Sequence, residues 1–255
     1  MNRSISAWGG NIAAFVLVIV VNTLSNALPF NDQSQTEIAA KYPSLFTPAG
    51  FTFSIWGVIY LGLLVFVVYQ ALPAQRQNAS IARLDVPFKI NCASNAIWLY
   101  VWHHDMIFLS LLIMFVILAT LVTIYRRLYA RIDRASITER LALHLPFSLY
   151  TGWVTVATIA NASILQYAYG WDELLLSSVS WTLLKLALAG AVAVTMVIRY
   201  GDAVFVLVVA WAAYGISVMQ SPTPAVSGAA SSLALLSLLL AASEGVSRLA
   251  KHQRS

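Results

Sequence analysis

The chain of 255 residues is 60% hydrophobic and 10% charged, and its mean hydropathy is +0.77. Soluble domains carry about 25% charged residues, so this composition excludes an ordinary soluble protein and indicates one that crosses a membrane several times. The net charge of +5 resides largely in a few loops, which favours a role in membrane orientation over nucleic-acid binding.

Eight apolar segments are long enough to cross a hydrocarbon core of about 30 Å as helices. In chain order they are residues 9–29, 50–71, 87–103, 106–126, 143–168, 175–198, 203–220 and 226–247. Only His103, His104 and Asp105 separate the third segment from the fourth, which predicts a tight hairpin. The first segment is too long for a signal peptide, so we expect it to be retained. The sequence thus predicts an all-α polytopic membrane protein.

Basic residues occupy every second loop. The loops after the second, fourth and sixth segments with the segment ends beside them, and the tail after the eighth, contain Arg76, Arg83, Lys89, Arg126, Arg127, Arg131, Arg134, Arg140, Arg199, Arg248, Lys251 and Arg254. The opposite loops contain Asp32, Glu37, Asp105, Asp172 and Glu173, with Lys41 as their only clear cation. The positive-inside rule then predicts that both termini are cytoplasmic. We expect the membrane to be a bacterial inner membrane.

A Pro-Ala-Gly sequence leads into the second segment, in the string FTPAGFTFSIWGVIY. The aromatic residues of this segment share one helical face. Phe53, Trp56 and Tyr60 are spaced by three and four residues. The third and fifth segments repeat this pattern with Asn91, Asn95, Trp98 and Trp102, and with Pro146, Tyr150, Trp153, Ala157 and Asn161. A buried amide in hydrocarbon needs a hydrogen-bond partner, so Asn95 and Asn161 should face other helices or a cavity. The spacing alone fits either helix packing or the walls of a pocket.

The longest stretch between helices runs from Pro29 to Gly50. Its second half, with Tyr42, Leu45 and Phe46, is too apolar for a freely solvated loop. Two interpretations stay open: a lid folded over the mouth of the bundle, or a loop whose aromatic residues rest at the membrane interface.

Few side chains are candidates for metal binding or catalysis. A single cysteine, Cys92, excludes an intramolecular disulfide and a multi-cysteine metal site. His103 and His104 lie across the membrane from His144, so the three cannot bind one metal, and we expect the adjacent pair to be solvated caps. We predict no metal ligand and no catalytic residue.

Lys185 is the one ionisable residue that could lie deep in the membrane. If its helix begins at Leu174, the lysine lies about 16 Å along the helix. We favour a start nearer to Trp181, which lets the amine reach the interface.

Three motifs carry a family resemblance. The string PAGFTFSIWGVIY, the NxxW pattern of Asn95 to Trp98, and PFSLYTGWVTVATIAN from Pro146 to Asn161 resemble the TspO/MBR family, the tryptophan-rich sensory proteins related to the mitochondrial translocator protein. The resemblance covers residues 9–170. It implies a five-helix ligand-binding bundle in residues 1–170, followed in residues 171–255 by three additional transmembrane helices and a short cytoplasmic tail.

In that family, the five helices enclose a pocket that binds porphyrins, haem and other hydrophobic ligands. The resemblance implies that here the pocket is lined by Pro48, Phe53, Trp56, Tyr60, Asn95, Trp98, Trp102, Tyr150, Trp153, Ala157 and Asn161. It therefore implies a membrane sensor or receptor for a tetrapyrrole or another hydrophobic molecule such as a lipid. No cofactor is required beyond a porphyrin or haem bound as ligand, and ring stacking should dominate over iron coordination. No cation follows Tyr167 or Tyr169 closely, so cholesterol binding through the motif of animal relatives is not predicted.

Two other classes of function stay open. A transporter of a hydrophobic molecule often has two related halves, whereas the second half of this chain does not repeat the motifs of the first. A membrane enzyme acting on porphyrin or lipid lacks paired carboxylates within a helix, although Trp56 and Trp153 would permit the light-dependent porphyrin breakdown linked to some relatives. The three added helices are candidates to replace the dimer contacts of the family, and a homodimer is compatible with the sequence.

Overall fold

The computed structural model describes residues 3–27 and 30–252, with the side chains of Asn26, Thr36 and residues 248–252 left aside. Eight long helices and no β-strand occur in these residues. The helices are α1 (Ile5–Ala27), α2 (Ile55–Ala71), α3 (Asp85–His103), α4 (Ile107–Tyr129), α5 (Leu145–Ala168), α6 (Ser178–Tyr200), α7 (Ala203–Met219) and α8 (Pro224–His252). The predicted all-α class is confirmed, and each helix overlaps one predicted segment.

The helices differ in their capacity to cross a membrane. Within the described residues, α1, α4, α6, α8 and the continuous span Gly50–Ala71, which contains α2, are long and apolar enough by length and composition. α7 is apolar but only 17 residues long. α3 and α5 carry the amides and aromatic rings that the sequence places on one face. The protein is an integral membrane protein.

Helix ends in the second half of the chain have local causes. The Ser177 hydroxyl accepts the Ser180 N–H at 3.2 Å, so α6 begins at Ser178, three residues later than predicted. Gly201, at φ 61°, ends α6 in the left-handed conformation that glycine adopts readily. The Asp202 carboxylate then accepts the Phe205 N–H at 3.1 Å and starts α7.

A π-helical turn, Arg140–His144, leads into α5. Pro146 has no N–H to donate to the carbonyl of Ala142, which weakens the regular α-helical pattern at this point. The Leu145 N–H instead bonds to the Arg140 carbonyl, five residues earlier. The following helix therefore starts immediately before Pro146, as the sequence predicts within two residues.

The described residues divide into two compact units. The first unit is drawn from Met1–Lys41 and Ile55–Val154, and the second from Tyr42–Ser54 and Thr155–Ser255. α5 runs through both. The sequence predicts a division at residue 170, where the resemblance to a five-helix core ends. The two compact units do not test that division, so it stays a prediction.

Three phenylalanines form the interior of the first unit where α2, α3 and α5 meet. The rings of Phe66 and Phe88 are 4.9 Å apart, those of Phe66 and Phe147 are 5.0 Å apart, and all three pairs meet edge to face. Each side chain is fully buried. We call Phe66, Phe88 and Phe147 the phenylalanine core.

A buried ion pair fixes the start of α1 in the same unit. The Arg3 guanidinium pairs with the Asp85 carboxylate and donates to Gln70 Oε1 at 2.6 Å. Asn11 Nδ2 donates to Asp85 Oδ1 at 2.7 Å. Since both charges are buried and hydrogen-bonded, removing either partner would strand the other, at about 3–5 kcal/mol. The sequence offered no indication of this contact.

In the second unit, residues 48–52, which precede α2 in the chain, pack against α7. The Ala49 N–H donates to the Gly215 carbonyl at 3.0 Å, and Trp211 Nε1 donates to the Thr52 carbonyl at 2.9 Å. A Cβ atom on Gly215 would lie 2.0 Å from the Thr52 hydroxyl. α7 therefore approaches this segment closely because residue 215 has no side chain.

The predicted lid is folded in both of its described halves, while Pro29 lies outside the described residues. In the first unit, Lys41 pairs with Asp105 at 2.6 Å and Asn31 donates to the His103 carbonyl at 3.3 Å. In the second unit, Phe46 is fully buried. Packing of this kind favours the folded-back interpretation over a loop whose aromatic residues rest in the interface.

The tail charges used in the orientation argument are only partly described. Arg254 lies outside the described residues, and the side chains of Arg248 and Lys251 are not described.

Candidate functional site

Four predicted site residues meet between α2 and α5 in the first unit. The Trp56 ring stacks on Tyr60, with centroids 5.4 Å apart and planes 22° from parallel. It also meets Tyr150 edge-on at 5.7 Å and Trp153 edge-on at 6.4 Å. We call Trp56, Tyr60, Tyr150 and Trp153 the aromatic cluster.

The aromatic cluster follows from helical spacing and from one close contact between helices. Trp56 and Tyr60 are four residues apart and Tyr150 and Trp153 are three apart, so each pair shares a face. A Cβ atom on Gly62 would lie 3.2 Å from Pro146 Cβ and 3.3 Å from Pro146 Cα. α2 and α5 therefore come close enough at Gly62 for rings one and two turns away to touch.

The two asparagines of α3 have different roles. Asn95 Nδ2 donates to the Tyr150 hydroxyl at 2.7 Å and so links α3 to the aromatic cluster. Asn91 Nδ2 instead donates to the Ile117 carbonyl at 3.2 Å and to the Thr120 hydroxyl at 2.9 Å, both on α4. Asn91 thus serves helix packing, whereas Asn95 belongs to the candidate site.

Trp98 and Trp102 form a second stacked pair on α3, with centroids 5.4 Å apart and planes 17° from parallel. Trp102 Nε1 donates to the Gln35 carbonyl at 3.4 Å, so this indole contacts the short helix Gln35–Lys41. Trp98 Nε1 is buried and has no hydrogen-bond partner in the described part of the chain. Of the two indole N–H groups, that of Trp102 is hydrogen-bonded, whereas that of Trp98 has no partner among the described residues.

Burial within the aromatic cluster is uneven. Tyr150 and Trp153 are each 2% exposed, whereas Trp56 and Tyr60 are half-buried. The Tyr60 hydroxyl oxygen is itself buried, and among the described residues nothing hydrogen-bonds to it. A buried polar atom without a partner is uncommon and calls for an explanation such as a bound molecule. A ligand would thus reach the cluster from the α2 side.

The remaining four predicted site residues belong to the second unit. Pro48 and Asn161 are buried, and Phe53 and Ala157 are half-buried. Asn161 lies eight residues after Trp153 on α5, on the same helical face. Their place in the site stays a prediction.

The prediction that His103 and His104 are solvated caps is wrong for His103. That side chain is 0% exposed, its Nδ1 lies 2.6 Å from the Leu99 carbonyl oxygen, and Phe30 covers its ring edge-on at 5.7 Å. The folded Phe30–Lys41 segment, which helical spacing does not reveal, removes it from solvent. His104 is half-buried. The described residues contain no group of three or more His, Cys, Asp or Glu side chains that could hold a metal ion.

Lys185 lies nearer to the start of α6 than it would if the helix began at Leu174, the start that would place the lysine deep in the membrane. With α6 beginning at Ser178, the lysine is about 10 Å along the helix. Its Nζ donates to Gln166 Oε1 on α5 at 2.6 Å. Sequence reasoning missed Gln166 as its partner, because no spacing rule connects residues on different helices.

Comparisons with known proteins agree with the motifs. A family model described as TSPO-like protein matches residues 7–243. The match reaches beyond residues 9–170 and includes α6, α7 and most of α8. No curated protein and no solved structure matches the chain significantly.

Proposed function

This chain belongs to the TSPO-like protein family, and we propose that it is a membrane sensor or receptor that binds a flat hydrophobic ligand, most directly a porphyrin or haem, at the aromatic cluster. One observation carries the proposal. Four aromatic rings of α2 and α5 meet, and the hydroxyl oxygen of one of them, Tyr60, is buried with no hydrogen-bond partner among the described residues.

The chemistry of the aromatic cluster suits a tetrapyrrole. Flat conjugated rings stack on indole and phenol faces, and Trp56 offers a face that is only half-buried. Tyr60 and Trp98 would supply hydrogen bonds that orient the ligand without placing a charge in the membrane. Asn95 holds the Tyr150 hydroxyl at 2.7 Å and so fixes one wall of the site.

A titration of protoporphyrin IX tests the proposal. The full-length chain in detergent should produce a saturable shift of the porphyrin Soret band and quenching of tryptophan fluorescence. Trp56→Ala and Trp153→Ala should each weaken binding about tenfold, since one stacking contact is worth about 0.5–1.5 kcal/mol beyond the buried area. Trp171→Ala, an exposed indole in the second unit, is the matched control and should bind as the wild type does.

The absorbance readout separates ligand binding from the loss of a fluorophore. If Trp56→Ala and Trp153→Ala keep the wild-type Soret titration while both remain folded, the aromatic cluster is not the binding site. Equal weakening by Trp171→Ala would also contradict the proposal, because that indole lies outside the aromatic cluster.

We further propose that both termini face the cytoplasm of a bacterial cell. The support is the alternation of basic loops, such as the one with Arg131 and Arg134, with acidic turns such as the one at Asp105. A reporter that is active only in the cytoplasm should work when fused after Arg134 and fail when fused after Asp105. The reverse pattern would overturn this orientation.

A further inference from the structure

A polar cavity lies where α5 ends and α6 begins, entirely within the second unit. Its volume is about 290 Å³, near the lower end of small-molecule sites. Residues 43–45 line one side of it, and the turn with Asp172 and Glu173 lines another. Lys185 reaches it from α6. One cation and two carboxylates thus border a single cavity in a membrane protein.

Lys185 is held in position by its neighbour on α5. Its Nζ donates to Gln166 Oε1 at 2.6 Å, and Gln166 Nε2 donates in turn to the Trp171 carbonyl at 3.0 Å. Gln166 is the single hydrogen-bond partner of this amine among the described residues. Because an ammonium group has three donors, Lys185 retains capacity to bind an anion.

The carboxylates do not neutralise this cation directly. Asp172 accepts a hydrogen bond from the Ser178 hydroxyl at 3.2 Å. Over the described part of the chain, no ion pair joins Lys185 to Asp172 or Glu173. The cavity is therefore lined by a cation and by two carboxylates that form no ion pair with it among the described residues. Such a lining complements a ligand that carries both charges.

An apolar groove of about 470 Å³ continues from the cavity. The two share Gln166, Trp181 and Lys185, so they meet at the lysine. The rest of the groove is lined by Ala162, Trp171, Leu174, Leu175, Leu184 and Leu188. Leu175 is 89% exposed, so its side chain is available for contact with an acyl chain.

We propose that the cavity and groove bind one phospholipid with an ethanolamine headgroup. Its phosphate contacts Lys185, its ammonium group contacts Asp172 and Glu173, and one acyl chain lies along the leucines of α6. Trp171 and Trp181 lie beside the headgroup, where indoles are enriched in membrane proteins. This site is independent of the aromatic cluster.

The charges of the cavity select among headgroups. One lysine and two carboxylates give a lining charge of −1, which disfavours a lipid with a net negative charge. A primary ammonium donates hydrogen bonds to carboxylates, whereas the quaternary ammonium of choline has no N–H to donate. Ethanolamine therefore fits better than glycerol or choline.

Native mass spectrometry of the delipidated full-length chain tests this site. The protein would be exposed to equal concentrations of dioleoyl phosphatidylethanolamine, phosphatidylcholine and phosphatidylglycerol. The wild type should retain one ethanolamine lipid at about tenfold lower concentration than either of the others. Glycerophosphoethanolamine, which lacks acyl chains, should not displace it; displacement would overturn the role of the groove.

Charge variants test the roles of Lys185 and of the two carboxylates separately. Lys185→Gln should lower retention of the ethanolamine lipid about tenfold, whereas Lys185→Arg should preserve it. The double variant Asp172→Asn/Glu173→Gln should lose discrimination against phosphatidylglycerol. Lys89→Gln in the first unit, whose amine donates to the Ser6 carbonyl at 2.9 Å, is the matched control.

Two results would overturn the proposal. The first is equal retention of all three lipids by the wild type. The second is unchanged retention of the ethanolamine lipid by Lys185→Gln. If Lys185→Gln does not fold, the acidic double variant decides alone, because retained discrimination against phosphatidylglycerol would then contradict the site.

Discussion

The aromatic cluster and the phenylalanine core occupy the same three-helix region yet differ in their surroundings. Both consist of rings that meet largely edge to face at about 5–6 Å. The phenylalanine core has no polar atom and is fully buried. The aromatic cluster carries the Tyr60 hydroxyl, takes a hydrogen bond from Asn95 and leaves Trp56 half-buried.

The difference separates packing from binding. An aromatic contact by itself indicates only that two helices fit together, as Phe66 and Phe147 show. Polar atoms placed among rings are unfavourable in lipid unless they bind something. The aromatic cluster contains such an atom, the Tyr60 hydroxyl oxygen, which is consistent with the ligand site that we propose.

The largest effect on stability should come from the phenylalanine core. Phe147→Ala would leave a cavity among fully buried rings and should lower the free energy of unfolding by about 3–5 kcal/mol. Thermal unfolding in detergent measures this loss. Phe108→Ala, at a ring that is largely exposed on α4, is the control and should change little. Equal melting temperatures for Phe147→Ala and the wild type would contradict the packing role.

A second variant should affect both regions through the spacing of α2 and α5. Gly62→Val would place side-chain atoms against Pro146 and should destabilise the protein by about 1–3 kcal/mol. It should also weaken protoporphyrin binding, because Trp56 moves away from Tyr150. Gly57→Val is the matched control, since a Cβ atom there meets nothing within 4 Å. If Gly62→Val binds porphyrin normally, the helix contact does not set the site.

The smallest effect should come from a single hydroxyl. Tyr60→Phe keeps the ring that stacks on Trp56 and removes an oxygen that has no hydrogen-bond partner among the described residues, so stability should stay unchanged or rise slightly. Porphyrin affinity should fall about threefold to tenfold through the lost hydrogen bond. Tyr100→Phe, at an exposed ring on α3, controls for the substitution. Unchanged affinity in Tyr60→Phe would exclude the hydroxyl from ligand contact.

Local patterns predicted the helices and the faces that meet. Apolar length gave eight helices within a few residues, and spacing placed Trp56 and Tyr60 on one face. The start of α6 was missed because it depends on the Ser177 cap and on the left-handed Leu175. A hydropathy pattern reveals neither of these two features.

Contacts between distant residues could not be predicted from one sequence. Arg3 and Asp85 are 82 residues apart, and no periodic pattern links them. The sequence showed that Asn95 needs a partner, but it did not identify Tyr150. The burial of His103 depends on a folded connecting segment, whose path no helical spacing specifies.

The most direct test of the aromatic cluster is ¹⁹F NMR of the chain labelled with 5-fluorotryptophan. The eight tryptophans would be assigned by single Trp→Phe variants, and protoporphyrin IX would then be added. We predict that the Trp56 and Trp153 signals shift or broaden saturably while those of Trp171 and Trp181 stay unchanged. Shifts confined to Trp171 and Trp181, with Trp56 and Trp153 unaffected, would contradict ligand binding at the aromatic cluster.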